Sequence, residues 1–173
     1  MLQMYNKLLE LPMFIGISNA ELADIVGNTK FGFHKLSEGK ILVKEDEKCE
    51  QLYFLVSGSL RVLSRADNHR YSIEEQLKAP AVIQPEHFFG LIQHHTKTFS
   101  AATACSLLSL DKTEVLRLMD ESFIFRLNFL NTVSMQAQKG SHYPWRQQPT
   151  DIRDQFISFL RLRCMTQAGP KVL

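Results

Sequence analysis

The sequence predicts a mainly β protein, an antiparallel jelly roll flanked by helices, and two observations carry that prediction. Between Lys30 and about Leu110, short runs of β-formers recur at close intervals with turn residues between them. Before and after this stretch the apolar residues shift to the three-and-four spacing of helices. The length fits: 173 residues, 45% hydrophobic and 22% charged, make one core domain or one domain with a short appended piece. A chain of this size buries roughly two thirds of its unfolded surface, so its core needs no disulfide or metal to hold it.

The elements follow in order. Ser18 caps a helix, and Glu21 three residues on completes a capping box ahead of Leu22, Ile25 and Val26. Upstream, Leu8, Leu9, Leu11, Met13 and Phe14 are apolar enough to dock on something larger. Phe31 and Phe33 open the strand region, alternating with small or polar neighbours. Ile41-Leu42-Val43 is closed by the charged run Lys44 to Lys48, read as a solvated loop. Leu52-Tyr53-Phe54-Leu55-Val56 ends on the turn signal Ser57-Gly58, and Leu60, Val62 and Leu63 lead to a polar tip at Arg65 to Arg70. Ala81-Val82-Ile83, Ser100 to Cys105 and Leu107 to Leu110 complete the strands.

Past Leu110 the helical period returns. Asp111 and Glu114 form a second capping box before Val115, Leu116, Leu118 and Met119. A longer helix, about Ser122 to Gln138, places Phe123, Leu127, Leu130, Ser134 and Ala137 at alternating spacings of four and three. That narrow seam packs either on its own roll or on a second copy, and the small residues toward its C-terminal end favour the second copy. Gly140 and the Tyr143-Pro144 step end the helix, Arg146 to Pro149 reads as a hinge, and a final helix from Thr150 carries Ile152, Phe156, Phe159 and Leu160 on one face.

Several classes drop out. Lys+Arg 20 against Asp+Glu 18 is too even for a strong nucleic-acid field across the whole chain. Cys49, Cys105 and Cys164 are odd in number and far apart, so they build neither a disulfide framework nor a CxxC metal site, and the expected compartment is the cytoplasm. No apolar run approaches the ~18 residues of a membrane span. No GxSxG, HExxH or P-loop pattern is present, so the chain is read as a non-enzyme. A cupin-like enzyme would want histidines in strands, and these lie mostly in turns.

Four stretches together resemble the Crp/Fnr superfamily of bacterial transcription regulators, whose sensor is the cyclic-nucleotide-binding roll. They are Leu11-Pro12-Met13-Phe14 with Ile17-Ser18 and Glu21-Leu22, then Ser37 to Leu42, then Leu52 to Val62, and finally Phe88-Phe89-Gly90. The third, close to "LYFILSGSVRV", is the most specific, and the resemblance covers nearly the whole chain. One glycine of the pattern is missing: the loop after Val43 reads Glu45-Asp46-Glu47 where "EGD" is common, and aspartate tolerates the left-handed turn better than most residues.

The resemblance implies an effector pocket and also a departure from it. The family's phosphate cassette resembles "FGELALL…PRSATV", with a glutamate on the ribose and an arginine on the cyclic phosphate. An ungapped match sets Leu91 at the glutamate, Ser100 at the arginine and Ala101 at the small hydroxyl residue, with Phe89, Gly90, Ile92 and Thr103 completing the pocket. Removing one partner of a buried charge pair costs about 3–5 kcal/mol. With the ribose contact also gone, a micromolar ligand at about 8 kcal/mol of binding falls to millimolar or weaker. Lys97 is a nearby substitute cation, and backbone N–H groups after Gly90 offer a weak anion site. Haem is the alternative effector chemistry, through His87 or His94 with Met135 or His142 from the long helix.

The expected organisation is a sensor roll with its N-terminal helix at 1–111, a dimerisation helix region at 112–145, and at 146–173 a hinge and the first helix of a truncated helix-turn-helix domain. The resemblance implies a homodimer that senses an unknown small molecule and reaches DNA through a C-terminal domain beyond this sequence. A stand-alone ligand or protein-interaction module of the same fold is the competing reading.

Overall fold

The computed structural model describes residues 2–65 and 72–141, together with 151–153, 156, 157 and 160. Helices α1 (Leu2–Leu9) and α2 (Asn19–Asn28) precede the strands. Eight strands follow: β1 (Gly32–Leu36), β2 (Ile41–Val43), β3 (Gln51–Ser57), β4 (Ser59–Arg65), β5 (Ser72–Lys78), β6 (Ala81–Ile83), β7 (Thr98–Ala101) and β8 (Cys105–Asp111). Helices α3 (Lys112–Glu121) and α4 (Phe123–Ser141) come next. All strand pairs are antiparallel, in two four-stranded sheets ordered β1-β8-β3-β6 and β2-β7-β4-β5. This is the jelly roll that the strand spacing predicts.

The apolar run of β3 follows from its position. Leu55 faces the roll interior with Leu60, Val62, Phe99 and Leu107, while Leu52 and Phe54 face a second core under the helices. Its neighbour β8 behaves alike, with Leu107 inside the roll and Leu108 and Leu110 toward the helices. A strand buried on both faces reads as a continuous hydrophobic run. The other sheet has a wet outer face, and its edge strand β5 is nearly all exposed. That is why β5, Ser-Ile-Glu-Glu-Gln-Leu-Lys, gives no strand signal in the sequence.

Phe14 centres the helical core. It is fully buried, with ring centroids 6.3 Å from Phe31, 5.8 Å from Phe54 and 5.3 Å from Phe125 of α4. Leu8, Leu11, Met13 and Ile17 close around it, so the apolar N-terminal residues do dock, on the outer face of the first sheet. Asn128 of α4 donates to the Met13 and Ile15 carbonyls at 3.2 and 2.8 Å. Both capping boxes form at their N-cap side chains, Ser18 accepting from Glu21 N at 3.2 Å and Asp111 from Glu114 N at 2.8 Å. Arg117 of α3 reaches across to the Asn28 carbonyl and Thr29 hydroxyl at the end of α2, at 3.1 and 2.8 Å, where a cation suits the helix C-terminus.

Some expectations shift. The long helix runs to Ser141, past Gly140. The stretch expected as one strand from Ser100 to Cys105 is the end of β7, a turn, and the start of β8. The tip beyond Arg65, Cys164, most of the final helix and the Tyr143-Pro144 step lie outside the described residues.

Two turns show what the glycine pattern requires. Gly58 between β3 and β4 has φ +88°, and a Cβ there would sit 2.5 Å from the Ala104 carbonyl oxygen. Asp46, where the family pattern has glycine, has φ +67°, so the turn keeps its left-handed form with aspartate in it. Asp46→Gly is therefore expected to leave stability unchanged or raise it by up to about 1 kcal/mol, and Asp46→Val to lower it by about 1–2 kcal/mol. Thermal unfolding of the two variants checks both signs.

Candidate functional site

The site lies in the segment joining β6 to β7. After Ile83 the chain turns left-handed at Gln84 (φ +42°), which is buried, then makes a single 3-10 turn at Pro85–His87. Phe88 is buried and Phe89 half-buried, their rings 4.9 Å apart, and Phe89 lies 5.8 Å from Phe129 of α4. Gly90 has φ +95°, and Leu91 and Ile92 project into solvent, 99% and 65% exposed. Gln93 folds the loop back: its amide donates to the Gly90 carbonyl at 2.8 Å, and its side-chain oxygen accepts from Lys112. The Lys112 ammonium also sits 5.6 Å over the Phe88 ring.

From Gln93 the chain runs beside the loop between β2 and β3. Cys49 N donates to the Gln93 carbonyl at 2.9 Å, His95 N to the Glu47 carbonyl at 2.8 Å, and Asp46 N to the His95 carbonyl at 2.8 Å. His94 Nδ1 is 2.7 Å from the Asp46 carbonyl. The run 44–48 is a largely exposed loop, as read from the sequence, and its main chain is tied to the cassette through these bonds and the isolated Lys48–His94 bridge. Glu47 also folds back on it, its carboxylate accepting from Lys44 N at 2.9 Å.

His95 differs from its neighbours His87 and His94 in being buried. It is 2% exposed, and its Nδ1 lies 3.0 Å from the Gln84 side-chain oxygen. Gln84 in turn donates to Thr96 Oγ1 at 2.6 Å, and His87 Nε2 approaches the same hydroxyl at 3.5 Å. Burial holds His95 below the ordinary histidine value, Glu47 opposes that shift and His87 adds to it. Burial likewise pushes the Cys49 thiol up to about 11, with Lys112 opposing and Glu86 and Glu47 adding, which leaves it an inert core thiol. Glu86 Oε2 is buried with no hydrogen-bond partner among the described residues.

The other sequence-predicted pocket residues do not join this cluster. Phe99 and Ala101 point into the roll, so strand alternation turns Ser100 outward, beside Ile41 and Arg61 on the neighbouring strands. Ala101 is buried with its backbone paired to Gly39 and Lys40, and Thr103 accepts from Ser59 N at 3.0 Å. Lys97 is 3.7 Å from Glu75. Among the haem candidates, His87 and His94 have the contacts just given, Met135 is partly exposed on α4, and His142 lies outside the described residues. Among the described residues no three His, Cys, Asp or Glu side chains converge as a metal-binding group. Sequence reasoning placed His95 beside the cassette without its burial, and missed Gln84 and Thr96. For Ser100 the alternation of β7 was the signal, because an apolar Phe99 and a small Ala101 facing inward exclude it from the interior.

The seam residues lie together on the open side of α4. Phe125, Phe129 and Thr132 are buried, whereas Phe123, Leu127 and Leu130 are 65%, 43% and 52% exposed, with Ser134 and Ala137 exposed beyond them.

A two-sheet antiparallel roll, bracketed by helices and carrying a glycine-turned loop between its sixth and seventh strands, is a double-stranded β-helix, or jelly roll. The cyclic nucleotide-binding domain profile matches residues 33–122, more than half of the chain, and the protein is a member of that family. Among solved structures it is similar to the catabolite activator protein of Thermus thermophilus, at 15% identity and TM-score 0.65, over 87% of this chain and 63% of that one. It is also similar to the sensor domain of the transcriptional regulator DNR from Pseudomonas aeruginosa, at 14% identity and TM-score 0.65, over 85% of this chain and 97% of that one. A cyclic nucleotide-binding domain from Methylobacillus flagellatus aligns at 14% identity and TM-score 0.64, over 86% and 88%. At these identities the likeness is one of fold. Comparison with curated proteins finds no match. No helix among the described residues is long and apolar enough to cross a membrane.

Proposed function

We propose that this chain is the sensing and dimerisation part of a homodimeric, non-catalytic transcription regulator of the Crp/Fnr type, with a cassette that no longer takes a cyclic nucleotide. The observation that carries the reading is the uncovered seam of α4. A helix whose inner face is already buried by Phe125 and Phe129 exposes a second apolar stripe with coiled-coil spacing. A second copy of the same stripe is its natural cover, since a two-fold pair is self-complementary. Helical residues Ile152, Phe156 and Leu160, at spacings of four, form an exposed apolar set of their own, which supports the reading of that segment as part of a helical domain. The fold neighbours described as transcriptional regulators point the same way.

The cassette supports the loss of nucleotide binding. Where the family pattern sets a glutamate, Leu91 projects into water. The charges closest to the buried His95 include the carboxylate of Glu47, and Glu86 lies two residues from Gln84. A phosphate would meet acidic groups and a neutral imidazole rather than a guanidinium. Titration calorimetry with cyclic AMP and cyclic GMP is expected to show no binding tighter than about millimolar. Micromolar binding of either nucleotide would overturn this part of the reading.

A further inference from the structure

We infer that Leu91 and Ile92 of the cassette are a second part of the dimer interface, each pair resting on Met135 of the other copy in a parallel arrangement of the two α4 helices. This rests on the homodimeric reading above and adds a surface that the seam alone does not supply.

The pair is held on a fixed support. Gly90 takes a left-handed turn at φ +95°, Gln93 closes the loop on the Gly90 carbonyl at 2.8 Å, and Lys112 of α3 holds the Gln93 side-chain oxygen. Phe89, just before the turn, is anchored on Phe129 of α4. Two large apolar side chains, 99% and 65% exposed, are thus presented by a loop that is already ordered, which reduces the entropy lost on binding. A single exposed leucine is ordinary, but an adjacent pair next to an uncovered helix is a patch that a partner covers.

The size of the seam calls for more surface. At about 200 Å² for a large side chain, the exposed parts of Phe123, Leu127 and Leu130 supply roughly 300 Å² per protomer. A standard interface takes about 800 Å² from each partner. By the same measure Leu91, Ile92 and Met135, which is 43% exposed, bring roughly 400 Å² more.

The flanks of α4 say where that surface meets. A helix turns about 100° per residue, so Ile124, Asn128, Phe125, Phe129 and Val133 follow one another around its circumference. The N-terminal segment occupies the first side: Asn128 donates to the Met13 and Ile15 carbonyls, Gly16 lies against Ile124, and Phe14 meets Phe125. The cassette, on Phe129, lies toward the other side. Met135 falls two turns beyond Asn128, on the first side. A two-fold axis parallel to the helices carries each flank to the opposite side of the pair, so the cassette flank of one copy adjoins the Asn128 flank of the other. Leu91 and Ile92 then meet Met135, an unbranched side chain that adapts to irregular apolar partners. An antiparallel pair would bring the cassette to the flank that carries Arg126 and leave Met135 in water.

Two measurements test the docking. In sedimentation equilibrium the Leu91→Asp, Ile92→Asp variant should fold as wild type does by circular dichroism, since both side chains lie in water in the single protomer. Its dissociation constant should rise at least about hundredfold. For the second, chains with Leu91→Cys are mixed with chains with Met135→Cys, both also carrying Cys164→Ser, and treated with a short bis-maleimide. Cys49 and Cys105 are buried and stay unreactive. The mixture should yield a cross-linked dimer on a denaturing gel, and neither variant alone should do so. A dimeric wild type whose aspartate variant dissociates no more readily would overturn the docking and leave the seam standing. So would a dimer that gives no cross-link in the mixture, or one that cross-links through Leu91→Cys chains alone. A monomeric wild type would overturn the homodimeric reading, and the docking with it.

Discussion

Phe14→Ala is expected to destabilise the protein by about 3–5 kcal/mol, the range for a phenylalanine removed from a closed core. The ring is fully buried and is shared by the N-terminal segment, the outer face of β3 and the inner face of α4, through Phe31, Phe54 and Phe125. Its removal therefore leaves a cavity that no single element can collapse to fill. For a chain of this size each kcal/mol moves the melting temperature by roughly 2–4 °C, so a fall of about 10 °C is expected. Since domain stabilities run from about 5 to 15 kcal/mol, the variant should also accumulate partly unfolded protein near body temperature. Calorimetric melting of the purified variant is the measurement. A fall under about 1 kcal/mol, the usual mean for any substitution, would mean that the helical cap is not packed on the roll as described.

The second large effect concerns assembly. Leu127 and Leu130 are half-exposed on α4 and contribute little to the roll, so replacing both with aspartate should leave folding intact by circular dichroism. In a two-fold dimer the double change removes four leucines from the interface. At about 1.5 kcal/mol or more for each buried leucine, the dissociation constant should rise by at least about four powers of ten. Sedimentation equilibrium should then find wild type as a dimer at micromolar concentration and the variant as a monomer. If wild type is itself monomeric, the homodimeric reading is wrong. If the variant remains dimeric, the seam is not the interface.

Local patterns announced much of the fold. Capping boxes at Ser18 and Asp111 are written within four residues, and each forms because a side-chain oxygen needs only the backbone N–H three positions on. The turn at Gly58 is equally local, since its left-handed backbone leaves no room for a Cβ. The seam of α4 is legible because a helix converts a spacing of four and three directly into one face. Strand β5 was not legible: a strand exposed on both faces has no reason to alternate.

The cassette shows where local reading ends. By themselves, the residues determined that a glycine follows Phe88-Phe89, and the resemblance implied that Leu91 and Ser100 stand where the family pattern has its glutamate and arginine. Only the tertiary structure decided what stands there instead. His95 is polar and sits in a polar stretch, so composition places it in solvent. It is buried because the 46–49 loop, nearly fifty residues earlier in the sequence, pairs with it, and because Gln84 offers an oxygen to its ring. Whether a polar side chain lies in water or in a core is fixed by partners distant in sequence, and the hydrogen bonds that make burial tolerable form only once the sheets have brought those partners together.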